Sequence, residues 1–306
     1  MKPPEERGPV TTLATVTPRS LVVVKASING NEPASFLVDT FSEVVIVFES
    51  WARKWNLADG KFKPQDPRVR DLDSASAGAR IRLSSVDVRG ARVEKVDCLV
   101  VNDTAQRLFS LRMGEPKPGE VVPDLAGLLG FSYLKHFKTT IDFANLEVTL
   151  EKNKDEAPPA VNEDEIPLPE HGVSFYVGGS GGRTRRIIVK TSVNGFEPGN
   201  FILNTTSLTT TIIPSYASIW KVKPFPPDEL KTRGFKPTDK NLPGPVKTLR
   251  IGDRTMHDTE VLLAEEGIVI GSEIAGYVGM DFLRNYRLTI DCARNRLILD
   301  DPRVPR

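Results

Sequence analysis

The apolar residues of this chain fall into short runs broken by turn residues, not into long helical stripes. Leu21 to Ile28 is strand-like, Asn29-Gly30 interrupts it, and Ser35-Phe36-Leu37-Val38-Asp39 resumes the apolar pattern. Asn-Gly supplies the positive backbone angles of a tight turn, so the pattern predicts a hairpin with Ser35 to Asp39 as its return strand. Val44 to Phe48 predicts a further strand. Glu49 to Leu57 carries Trp51, Trp55 and Leu57 at the spacing of a short helix, with both tryptophans as core anchors. Ala79 to Val88 alternates, and Arg89-Gly90 separates it from Val93 to Val101, which predicts a second hairpin. Gly60 to Asp73 reads as a charged loop, and Thr104 to Pro123, with Gly114, Pro116, Pro118 and Gly119, as an irregular excursion. Phe131 to Phe137 then predicts a short helix, followed by paired strands at Thr139 to Asp142 and Val148 to Leu150.

The segments outside these runs are polar. The first twenty residues, rich in Pro, Thr and charge, read as a loose arm. Glu151 to Glu165, charged and carrying Pro158 and Pro159, reads as a linker that buries too little apolar surface to order itself. Gly178 to Gly182 is a flexible loop without the Lys-Ser or Lys-Thr pair of a phosphate-binding loop. The organisation expected is an arm at 1–20, a first unit at 21–150, a linker at 151–166 and a second unit at 167–300.

A repeat underlies the two units. Val189 to Pro198 lies over Val24 to Pro33 at an offset of 165 (189 minus 24), and Phe201-Ile202-Leu203-Asn204-Thr205-Thr206-Ser207 lies over Phe36-Leu37-Val38-Asp39-Thr40-Phe41-Ser42 at the same offset. Gly276 to Leu283 matches Gly127 to Leu134 at an offset of 149 (276 minus 127), and Thr289-Ile290-Asp291 repeats Thr140-Ile141-Asp142. The second copy is therefore 16 residues shorter in its middle (165 minus 149). Lys223 to Pro245, with six prolines, reads as an extended loop. Only Val246 to Ile251 and Thr255 to Ala264 are left as a hairpin around Gly252-Asp253, so whatever Ser74 to Leu83 builds in the first copy is expected to be lost or remodelled.

Composition narrows the partners. Forty-one basic residues against forty acidic ones leave a formal charge of +1, so no global field draws the chain to nucleic acid or an anionic membrane. No apolar run approaches the roughly 18 residues of a membrane span. Met1 to Arg7 has no apolar stretch of a signal peptide, which fits a cytoplasmic protein or an exported mature form equally and leaves the compartment unknown. Cys98 and Cys292, far apart in apolar segments, read as two buried free thiols. His136, His171 and His257 share no ligand spacing, so no metal or other cofactor is expected.

The chemistry concentrates at Asp39. An ionised carboxylate at the end of a buried strand is costly unless hydrogen-bonded or used, and in the second copy the acid has become Asn204. Asp39-Thr40 and Asn204-Thr205 could each simply cap a sharp turn. The ordered set is more specific: a strand into Asp-Thr or Asn-Thr at Phe36 to Ser42 and Phe201 to Ser207, an apolar-apolar-Gly strand at Leu128-Leu129-Gly130 and Tyr277-Val278-Gly279, then a short helix and strand. It resembles the retropepsin-like and pepsin-like aspartic peptidases, particularly the bacterial aspartyl-protease-like domains. The resemblance covers 21–150 and 187–299 and implies an all-β fold. Two tandem retropepsin-like (acid protease) β-barrel lobes with short helices would form a pepsin-like pseudo-dimer around a cleft.

The resemblance also implies a mechanism. Two aspartates, one from each lobe, hold one water between them and share a proton, so that one acts as base and the other as acid. Carried over, the pair is Asp39 and Asn204, and an amide can orient water but not shuttle a proton. Phe41 and Thr206 stand where the family motif has glycine, and a bulky Phe41 is expected to push into the space of water or substrate. Thr40, Ser42, Thr205 and Ser207 would brace the two turns. Ser74 to Ala79, including Ser76 and Gly78, is the candidate flap, alongside Phe41 and Thr206 as cleft residues. Asp142 and Asp291 would hold hairpins.

Three functions stay open at this point. A degenerate protein could bind an extended peptide or protein segment without cutting it. An active endopeptidase could use Asp39 through a homodimer of first lobes, and a purely structural pairing module would have no open cleft.

Overall fold

The computed structural model describes residues 8–57, 78–114, 123–154, 172–178, 186–236, 239–264 and 273–302. The first lobe contains β2 (Thr15–Val16), β3 (Val22–Ile28), β4 (Ala34–Val38), β5 (Val45–Phe48), β6 (Ala79–Val88), β7 (Ala91–Val101) and β8 (Leu125–Leu129). They are hydrogen-bonded in the order β2-β3-β4-β8-β5-β7-β6, and β6 returns to β3 to close a barrel. In the second lobe β12 (Arg186–Val193), β13 (Gly199–Leu203), β14 (Thr211–Ile212), β15 (Leu242–Ile251), β16 (Arg254–Leu263) and β17 (Ile274–Val278) run in the equivalent order β12-β13-β17-β14-β16-β15, closed by β15 on β12. The fold is all-β and retropepsin-like, with short helices.

Local sequence explains the turns. Asn29-Gly30 and Asn194-Gly195 both take positive φ, at 52° and 79° in the first lobe and 53° and 76° in the second, so both tight hairpins form as predicted. Trp55 stacks on Phe36 at 6.3 Å, and Trp220 stacks on Phe201 at 5.8 Å, each tying a helix to the barrel. Those helices are α1 (Glu49–Lys54) and α4 (Pro214–Ile219). Trp220 and Tyr216 keep the 165 offset from Trp55 and Trp51 (220 minus 55, 216 minus 51), so the repeat runs further than the motifs alone.

The second barrel's sheet continues from β12 into six further strands that join the lobes. β1 (Val10–Leu13), β10 (Glu147–Lys152), β9 (Phe137–Asp142), β18 (Arg287–Asp291), β19 (Arg296–Asp300) and β11 (Val173–Gly178) pair in that order. The centre of these six is the antiparallel contact of β9 with β18, where the Thr140 and Thr289 hydroxyls meet at 2.9 Å. The stretch expected to be a loose arm thus contributes β1 and β2. The β-branched Val10, Thr11 and Thr12 suit an edge strand, and backbone pairing with β10 orders it. Asp142 accepts from the backbone of Ala144 and Asn145, and Asp291 from that of Arg294, so both acids hold hairpin turns.

Three further expectations are corrected. Thr104 to Pro123 is not wholly irregular, because α2 (Asp103–Met113) lies in it; Asn102 caps the helix by accepting from Thr104 and Ala105, and Gly114, at φ 85°, ends it. The Ala79–Leu83 part of the Ser74–Leu83 region keeps its counterpart, since β15 and β16 are a full hairpin at an offset of 163 from β6 and β7 (242 minus 79, 254 minus 91), while residues 74–77 lie outside the described residues. Fourteen of the 16 missing residues (163 minus 149) fall between β16 and β17, where the first lobe carries α2. β15 begins at Leu242, and α5 (Pro227–Thr232) lies in what the prolines suggested was an extended loop. The linker of 151–166 lies mostly outside the described residues, as does the glycine-rich loop of 178–182.

Cys98 and Cys292 are buried and free, and burial pushes both thiols up, Cys292 to about 12. Among the described residues no helix is long and apolar enough to cross a membrane, and no three His, Cys, Asp or Glu side chains converge as metal ligands.

The crossing of chain segments behind each Asp-Thr or Asn-Thr turn depends on glycine. A Cβ on Gly130 would lie 2.0 Å from the Val44 carbonyl oxygen, and one on Gly279 would lie 2.6 Å from the Thr209 carbonyl carbon. Backbone cannot yield as a side-chain tip can, so Gly130→Ala is expected to destabilise the protein by about 2–3 kcal/mol. Denaturant unfolding checks this, the midpoint shifting with little change in slope.

Candidate functional site

The site forms where strands β4 and β13 each end and the two turns meet. Thr40 and Thr205 cross between the lobes. The Thr40 hydroxyl donates to the Leu203 carbonyl at 2.7 Å and accepts from the Thr205 N–H at 3.1 Å; the Thr205 hydroxyl donates to the Val38 carbonyl at 2.7 Å and accepts from the Thr40 N–H at 3.1 Å. A hydroxyl can donate and accept at once, so two buried threonines satisfy four backbone groups across the interface. This contact sets residues 39 and 204 side by side within one chain.

Asp39 and Asn204 use their side chains alike. Asp39 Oδ1 accepts from the Phe41 N–H at 2.8 Å, and Asn204 Oδ1 from the Thr206 and Ser207 N–H groups, each at 3.0 Å. The other side-chain atom of Asn204 is an amide nitrogen, which can only donate, where a second aspartate would present an ionisable oxygen. Asp39 is almost wholly buried, and burial raises it above the ordinary value of 3.8. Hydrogen bonds from Ser42, Phe41 and Thr206 pull the other way without overcoming that.

Thr206 fills the space between the two. Its hydroxyl stands 2.9 Å from Asn204 Oδ1 and 3.3 Å from Asp39 Oδ1, so a protein oxygen bridges the pair. Phe41 does not enter that space. Its ring reaches across to the second lobe and packs on Ile188, Ile202 and Ile274, with Tyr176 and Tyr277 beside it. It meets Tyr277 edge-on at 5.5 Å, and the Arg186 guanidinium lies over its face at 4.4 Å. Phe41 and Thr206 thus intrude at different points, one on the cleft wall and one between the dyad positions.

The remaining predicted residues are placed as follows. The Ser207 hydroxyl donates to the Thr209 carbonyl at 2.9 Å, while Ser42 bonds to Asp39 and its carbonyl accepts from the Phe131 N–H at 2.8 Å. Gly78 is buried, with room for no Cβ beside the Val100 carbonyl oxygen at 2.6 Å, so it is a packed position rather than a free tip. Ser76 lies outside the described residues. Asp281 is a half-buried acid that sequence reasoning passed over. On α6 (Met280–Leu283), it accepts from the Thr210 N–H and hydroxyl at 2.8 Å each, and burial raises it too. Ser132 performs the same bracing in the first lobe by accepting from the Val45 N–H at 3.0 Å. The 149 offset from Ser132 (281 minus 132) was the signal available for it.

Residues 24–136, most of the first lobe, match the family described as gag-polyprotein putative aspartyl protease. Over this lobe the chain is therefore similar to the retropepsin-like aspartic peptidases. Among solved structures, a retropepsin-like aspartic protease from Rickettsia conorii is similar at 19% identity, over 47% of this chain and 91% of that one, with a TM-score of 0.32. None of the curated proteins matches the chain.

Two predictions follow from this geometry. Thr40→Val removes a donor and an acceptor from a buried interface and is expected to cost about 2–4 kcal/mol; the double variant with Thr205→Val should cost less than the two singles summed, read by a double-mutant cycle in urea. The second concerns pH. A carboxyl raised on folding contributes stability below its unfolded value and loses it as pH rises through the folded value, each unit being worth about 1.4 kcal/mol. Asp39→Asn is therefore expected to gain on the wild type as pH climbs from about 4 upward. Thermal unfolding of both proteins across that range checks it, and a difference that stays flat would count against a raised Asp39.

Proposed function

We propose that this protein is a degenerate, non-hydrolytic relative of the aspartic peptidases whose inter-lobe cleft holds an extended peptide or protein segment. The observation that carries the non-hydrolytic part is the Thr206 hydroxyl between Asp39 and Asn204. Aspartic peptidase chemistry needs a water there, a carboxylate to take its proton and a carboxylic acid to protonate the carbonyl oxygen. Here Asp39 alone can titrate, Asn204 can only hydrogen-bond, and a threonine oxygen occupies the bridging place. The tandem arrangement, with lobes at 21–150 and 167–300, is part of the same reading.

The intrachain threonine contact bears on the alternatives. An active homodimer of first lobes would have to break all four Thr40 and Thr205 hydrogen bonds before two copies of Asp39 could meet. The reading as a closed pairing module draws support from Phe41, which already covers apolar wall on the second lobe. Retention of the whole turn framework, with polar groups of Asp39 and Asn204 side by side, supports the binding reading over it.

Digestion of an unfolded protein over roughly pH 3–8 tests the chemistry. Wild type and Asp39→Ala are expected to be equally inert. Asn204→Asp alone is expected to stay inert as well, because Thr206 keeps the bridging place; activity is expected once Thr206→Gly and Phe41→Gly are added. Cleavage by the wild type that Asp39→Ala abolishes would overturn the non-hydrolytic reading. For binding, a displayed library of extended peptides that yields ligands for the wild type supports the cleft, and one that yields none favours the closed module.

A further inference from the structure

We propose that Phe41 is an intramolecular ligand, occupying on the second lobe a seat for an aromatic side chain that an incoming segment takes over in its place. The proposal rests on the cleft being a binding site. Ile188, Ile202 and Ile274 form the floor of the seat, an apolar cluster separate from the main core, and Tyr176 and Tyr277 flank it. The equivalent residues of the first lobe, Val23, Leu37 and Leu125, belong to the main core instead. The second lobe thus has its own patch, and a residue of the other lobe covers it.

The chemistry of the seat selects a ring. The isoleucine floor would accept any apolar side chain, but Arg186 places a cation over the ring face at 4.4 Å, and Tyr277 offers an edge-on contact at 5.5 Å. Both contacts use the quadrupole of an aromatic ring, which an aliphatic side chain lacks. Arg186 is itself buried and stands where the first lobe has Leu21 (186 minus 165), so the cation belongs to this side alone. Phe41 comes two residues after Asp39, which puts the seat next to the paired turns, in the path of a segment lying over them. Its backbone N–H is fixed to Asp39, while the ring is only partly buried. Displacing the ring therefore need not break the turn.

The test is titration of Phe41→Gly and wild type with N-acetyl-L-phenylalaninamide and its cyclohexylalanine and leucine analogues, followed by calorimetry and thermal shift. Saturable binding of the phenyl probe to Phe41→Gly is expected, about three- to tenfold tighter than the cyclohexyl analogue and at least about tenfold tighter than to wild type. Phe41→Leu keeps apolar cover and therefore its fold should the glycine variant not form; it is expected to bind the probe more tightly than wild type. Equal affinity for all three probes, or no gain over wild type in a folded variant, would overturn the seat. The two readings can fail separately. If variants bind the phenyl probe but no peptide binds any form, the seat stands and the binding cleft falls. If library peptides bind wild type without aromatic preference and without response to Phe41→Gly, the cleft stands and the seat falls.

Discussion

The structure depends on the crossing of Thr40 and Thr205. Each hydroxyl reaches into the other lobe, donates to the carbonyl of its last strand and accepts from its turn. Four backbone groups that would otherwise be buried without partners are satisfied by two side chains, and the exchange works only if both turns approach in one registration. Everything at the candidate site inherits its position from that: the pairing of residues 39 and 204, the reach of Phe41 across the cleft, and the bridge made by Thr206. The β9–β18 contact at the other side of the molecule, centred on Thr140 and Thr289, fixes the lobes from below with the same residue type.

Around this symmetric frame the differences between the lobes are few and concentrated. Asp39 faces Asn204, Phe41 faces Thr206, Leu21 is answered by Arg186, and α2 has no counterpart among the described residues of the second lobe. Three of these four lie at or beside the paired turns. The residues that hold the turns, by contrast, are matched: the threonines, the glycines behind them, and the Ser132 and Asp281 braces. Requirements of folding are kept in both lobes, whereas the carboxylate of Asp39 is answered by an amide.

Much of the fold was legible because the chain states it twice. The offsets of 165 and 149 align hairpins, turns and apolar-Gly strands, and the same offset would have paired Trp55 with Trp220. What escaped has physical reasons. β1 is a short edge strand whose order comes from pairing with residues far along the chain, a tertiary effect that its own Pro- and Thr-rich surroundings conceal. α2 was hidden by the prolines that follow it, although Asn102 as cap and Gly114 as terminator were readable. The shortening was misplaced because the middle hairpins share little sequence and align only by pairing register. At the site, residue types were legible but directions were not. That Thr206 turns toward the dyad while Phe41 turns away depends on how the two lobes approach, which no local pattern encodes.

The bridge and the buried acid explain each other. Thr206 has one hydroxyl proton, and two oxygens lie within reach of it, Asn204 Oδ1 at 2.9 Å and Asp39 Oδ1 at 3.3 Å. An ionised Asp39 would compete with the amide for that proton and, even with its bonds from Phe41 and Ser42, would hold a charge in a buried place. A protonated Asp39 can reverse its contact, donating to the threonine oxygen while Thr206 donates to Asn204, so that every partner is satisfied by a chain of neutral hydrogen bonds. A second aspartate at 204 would bring back a like charge and a competing acceptor, and the chain could close only by sharing a proton. The asparagine removes that tension, because an amide opposite Asp39 brings no second charge, and so makes the centre an easier one to bury.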